Sequence, residues 1–137
     1  MRAMVRVDEL RAALLALPQV QLAVLFGSSA RGTATAASDV DLGLLLTGAE
    51  AAADAVHRTL RGVAGDRCDV TDLRVAPPLL RFEIAREGVL LVERDPGAWA
   101  DFRARAMIDW WDFAPLARMI AAAAAARLRQ ADTHGPA

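Results

Sequence analysis

Residues 25–46 read LFGSSARGTATAASDVDLGLLL. The stretch opens on the end of an apolar run, 20–26, whose strand-forming residues predict a buried strand stopped at Gly27. Small and polar residues follow, with Gly32 among them, and predict at most a short helix and a loop. A second strand is expected over 39–46. Along it Asp39 and Asp41 leave one face while Val40, Leu42 and Leu44 leave the other, so one face reads as core and the other as acidic.

Two neighbouring carboxylates repel each other, and a hard divalent cation such as Mg²⁺ relieves that repulsion. A D-x-D pair alone is more often two solvated aspartates at a strand end. Its context is more specific, because Gly27 and Ser28 precede it by a fixed distance, giving G-S-x10-D-x-D. Four specified residues in register arise by chance in roughly one chain in a thousand of this length. Glycine lets the backbone approach a ligand, serine offers a hydroxyl and an N–H, and a helix start favours phosphate oxygens. The bland alternative is a tight turn. Neither a P-loop G-K-[ST] nor a G-x-G-x-x-G fingerprint is present.

Outward from this stretch, helices are expected over 8–17, stopped by Pro18, over 49–61 and over 77–86, with strands over 67–73 and 89–92. Two final helices, 96–111 and 115–129, are expected around Pro115. The 137 residues suit one domain, with a core over 1–95, helices of 96–130 packed on it and a disordered tail at 131–137. The composition is 55% hydrophobic and 24% charged with net charge −1, which favours a small anionic ligand over duplex nucleic acid. The single cysteine, Cys68, excludes an internal disulfide and is expected as a small buried side chain in a reducing cytoplasm. Neither a signal peptide nor an apolar run long enough to span a membrane is expected, the alanine run at 121–126 being closely bracketed by arginines.

Strand parity separates the two further acids. Cys68 and Val70 fall on the core face and Asp69 on the other, so Asp69 is expected to join Asp39 and Asp41, whereas Asp72 suits a turn cap. Trp110 and Trp111 cannot share one helix face, so at least one is expected to be partly exposed, while Trp99, Phe102 and Phe113 read mostly as core. His57 and His134 carry no site signal.

The quoted stretch resembles the signature of the DNA polymerase β-type nucleotidyltransferases, and the short chain is similar to the minimal nucleotidyltransferase (MNT) antitoxins paired with HEPN toxins. Residues 67–95 extend the resemblance. It implies an α+β fold with a mixed sheet, flanking helices and a C-terminal helical tail. It further implies two Mg²⁺ ions held by Asp39, Asp41 and Asp69 as catalytic carboxylates, with ATP contacted by Gly27, Ser28 and Arg31. The implied reaction moves AMP onto a tyrosine of a HEPN ribonuclease toxin, with a hetero-oligomer of the two proteins. Neutralisation by binding alone, and transfer to a small hydroxylated molecule, are the alternatives.

Overall fold

The computed structural model describes residues 7–32, 39–48 and 50–133. The order is α1 (Val7–Leu15), β1 (Val20–Phe26), α2 (Ser28–Arg31), β2 (Val40–Leu46), α3 (Glu50–Ala64), β3 (Cys68–Asp72), α4 (Pro78–Glu87), β4 (Val89–Glu93) and α5 (Ala98–Thr133). The strands form one sheet in the order β3-β2-β1-β4. β1 runs antiparallel to both β2 and β4, whereas β2 and β3 are parallel. A parallel pair needs a long crossover, and α3 supplies it.

β1 is central, and Leu22 through Leu25 are buried on both faces, which is why this strand reads as a continuous apolar run instead of an alternating one. On one face Ala23, Leu25, Leu42 and Leu44 meet Leu10 and Leu14 of α1 and Val56 and Leu60 of α3. On the other, Leu22 and Val24 meet Ile84 and Ala85 of α4 and Phe102 and Ala106 of α5. The sheet is therefore covered on both sides. The expectation of one core face and one acidic face holds only at the start of β2. Beyond Asp41 the same parity brings Gly43, whose missing side chain leaves room for Leu73, and then Leu45, which packs into the second core.

Cys68 is only half-buried at the start of β3, packing with Val70 against the first core, and its thiol is free. The two expected final helices are one continuous helix, α5, with Pro115 inside it. Proline removes one backbone donor, but the alanine-rich sequence after it has high helix propensity and carries the helix onward. Residues 131–133, expected in the tail, also belong to α5, and 134–137, including His134, lie outside the described residues. Trp110 stacks on Phe82 with centroids 5.6 Å apart, while its neighbour Trp111 is exposed, as one helix cannot turn both toward the same surface. Among the described residues no helix is long and apolar enough to cross a membrane.

Arg94, just after β4, locks the first helix to the sheet. Its Nη2 donates to the carbonyl oxygens of Leu15 (2.7 Å) and Leu17 (2.9 Å), and its Nε donates to that of Val20 (2.6 Å). The last carbonyls of a helix lack intrahelical donors, and a cation there satisfies both the hydrogen bonds and the helix dipole. Arg94→Ala is expected to lower unfolding free energy by about 1–3 kcal/mol, read from urea denaturation with an unchanged denaturant slope.

Candidate nucleotide and metal site

Three chain segments meet at one end of the sheet. In the antiparallel ladder Phe26 pairs with Asp41, and in the parallel ladder Asp41 pairs with Asp69. The two carboxylates thus stand in adjacent register on the same face, with Gly27 following immediately on the other flank. Asp39 lies just before β2 and is exposed, as is Asp69; Asp41 is half-buried.

Gly27 cannot be another residue without cost. Its backbone, φ 72° and ψ −152°, lies in a region that side chains rarely adopt, and a Cβ there would run into the Asp41 carboxylate. The turn throws the chain into α2, where the Arg31 N–H donates to the Gly27 carbonyl (3.2 Å) and Gly32 closes the turn on Ser28. Arg31 is consequently carried back toward the carboxylates. Its Nη1 pairs with Glu87 Oε2 at 3.2 Å, and the other Glu87 oxygen accepts from Arg86 at 3.1 Å. No sequence signal links Arg31 to Glu87, since 56 residues separate them and the contact depends on how α4 crosses the sheet.

Asp72 does something different. It pairs in register with Leu44, and its Oδ1 accepts the backbone N–H of Arg74 at 2.9 Å, capping the turn after β3. Asp69, and not Asp72, stands beside Asp41.

Burial, followed by the charges of Asp69 and Asp39, raises the Asp41 pKa above the ordinary carboxylate value, while Arg31 opposes this by lowering it. The neighbouring Cys68 thiol is pushed up to about 11, first by burial and then by Asp69 and Asp41. The site accordingly has an excess of negative charge that the protein itself only partly balances. Among the described residues no three acidic, histidine or cysteine side chains form a ready-made metal cluster.

A family model described as polymerase beta, nucleotidyltransferase, matches residues 8–97. The chain belongs to this nucleotidyltransferase family. A search of curated proteins finds no match. Among solved structures, the nucleotidyltransferase fold is similar to a chain of a toxin–antitoxin complex with AMP-PNP, at TM-score 0.73 and 22% identity, covering 87% of this chain and 98% of that one. It is also similar to a chain of an MntA–HepT toxin–antitoxin complex, at TM-score 0.66 and 20% identity, covering 86% and 95% respectively. A third similar structure contains a tri-AMPylated HEPN toxin from Shewanella oneidensis in complex with MNT antitoxin. Its TM-score is 0.67 at 19% identity, with coverage of 87% and 98%.

The matched nucleotidyltransferase region ends just before α5. His57 sits across the sheet from the carboxylates, beside a cavity of about 290 Å³ that Leu44, Val70 and Asp72 also line.

Because the folded nucleotidyltransferase holds the Asp41 proton more tightly than the unfolded chain does, its stability falls as pH rises from the ordinary carboxylate range through the elevated value. Ionised Asp41 therefore strains the metal-free fold at neutral pH. Asp41→Asn is expected to raise the melting temperature in EDTA by a few degrees, whereas Gly27→Ala lowers stability by about 1–3 kcal/mol through its backbone conformation, with the clash of its Cβ against the Asp41 carboxylate adding to the loss. Differential scanning fluorimetry of the two variants beside the wild type checks both signs.

Proposed function

We propose that this nucleotidyltransferase is an antitoxin that transfers AMP from ATP to a tyrosine hydroxyl of a cognate HEPN ribonuclease toxin. The observation that carries the reading is the adjacent register of Asp41 and Asp69 beside the side-chain-free backbone of Gly27. Similarity to chains of structures containing AMP-PNP or an AMPylated HEPN toxin supports the choice of nucleotide and acceptor.

The donor set suits magnesium. Asp41 and Asp69 offer hard carboxylate oxygens with Asp39 at the mouth of the strand, and their mutual repulsion, which adds to burial in raising the Asp41 pKa, is relieved by a cation. Two Mg²⁺ ions held by Asp39, Asp41 and Asp69 would neutralise the triphosphate and the departing pyrophosphate. Gly27 admits the phosphate chain close to the backbone, and Ser28 and Arg31 bind its oxygens. Asp69 accepts the proton of the incoming tyrosine hydroxyl. The tyrosine oxygen then bonds to the α-phosphorus as the bond from that phosphorus to pyrophosphate breaks. Rate comes mainly from holding the two reactants in line and balancing charge.

When a cognate HEPN protein is incubated with this chain, ATP and Mg²⁺, intact mass spectrometry is expected to show gains in AMP units. Asp41→Ala abolishes the gain, Asp69→Asn slows it by about 10²–10⁴-fold, and Asp72→Asn leaves it near the wild-type rate. An unchanged toxin mass within a tight complex would replace this reading with neutralisation by occlusion.

A further inference from the structure

We infer that the distal half of α5 is a self-association surface, on which a second copy of this chain docks its own α5 antiparallel. No described residue of α5 beyond Ala114 is buried, so the helix continues for about five turns away from both cores. That segment carries four large apolar side chains in solvent, Leu116 (50% exposed), Met119 (69%), Ile120 (58%) and Leu128 (69%), the first three of them close together on one side of the helix.

Their arrangement identifies the occupant. At 3.6 residues per turn, Asp112, Leu116, Met119, Ile120, Ala123 and Arg127 fall within an arc of about 100° on one side of the helix. The order along this face is acid, three apolar residues, alanine, base. A two-fold axis passing between Met119 and Ile120 lays Met119 on Ile120 and Leu116 on Ala123, a large residue against a small one. The same axis sets Asp112 against Arg127 at both ends. Asp112 and Arg127 are exposed, and neither takes part in any of the ion pairs formed within the chain among the described residues.

A face that is complementary to its own reversal is what an isologous contact requires, because residue i must meet j while j meets i. An unrelated partner imposes no such symmetry. Isolated surface ion pairs add little affinity, so the apolar centre supplies most of the energy and the end charges set direction, since a parallel pairing would oppose like charges. Two such faces bury on the order of 1,000 Å², at the low end for a specific interface, so the dimer is expected to be weak and to dissociate on dilution. This surface is independent of nucleotidyl transfer, because the carboxylates lie on the sheet and α5 contributes none of them.

Sedimentation velocity of the full chain tests the inference. At about 10–100 µM the wild type is expected to sediment at twice the chain mass, dissociating on dilution. Met119→Asp with Ile120→Asp weakens association by about a hundredfold, and Asp112→Arg or Arg127→Asp alone by about tenfold. Combining Asp112→Arg with Arg127→Asp restores it, and circular dichroism confirms that each variant keeps its helix. A wild type that stays monomeric, association indifferent to these substitutions, or a charge-swapped double variant that fails to recover overturns the inference. So does a wild-type monomer whose apolar variants lose only a different protein partner.

Discussion

The site depends on the register of β2, held on one side by β1 and on the other by β3. Because side chains alternate along a strand, a slip of one residue would turn Asp41 into the first core and Leu42 out toward solvent. Four buried residues in a row on β1 and the paired apolar positions of β2 make that slip prohibitively costly. The carboxylates are therefore fixed by hydrophobic packing elsewhere on the strand. Their own interactions, repulsive in the absence of a cation, favour moving apart. The fold holds together a group of like charges that no local force would assemble.

Much of this was legible before any coordinates. The β1 span was readable to the residue, because an uninterrupted apolar run ending at glycine admits few other readings. Strand parity placed Asp69 beside Asp41, and a turn-capping geometry suited Asp72, because both follow from local rules. The second core was not legible. Its helices, α4 and α5, lie far along the chain from β1, and a strand position such as Gly43 gives no hint that Leu73 fills the space above it. Pro115 misled for a related reason. Proline signals a break from its own chemistry, while the outcome depends on the helix-forming strength of the residues on either side.

The long-range arginine contacts that organise the molecule were also invisible in the sequence. Arg94 reaches back 74 to 80 residues to hold α1, and Arg31 spans 56 to Glu87. Arginine can make such contacts because its planar fork offers several donors at the end of a long, packable stem. In a chain whose sixteen Lys or Arg residues are all arginine, composition allows such ties without saying where they fall.

The Arg31–Glu87 pair has a further consequence for selectivity. On the proposed function, an anion arriving near Asp41 would meet a guanidinium already matched to a carboxylate, so its binding would be an exchange between rival anions and not the capture of a bare cation. The attraction it experiences is the difference between two pairings, which is small for a singly charged visitor and grows with the charge it brings. If Arg31 binds phosphate as proposed, a resident carboxylate in this position would act as a threshold, favouring a polyanion over chloride, acetate or a monoester. The exchange would free only one oxygen of Glu87, because the other stays paired with Arg86 at the end of α4.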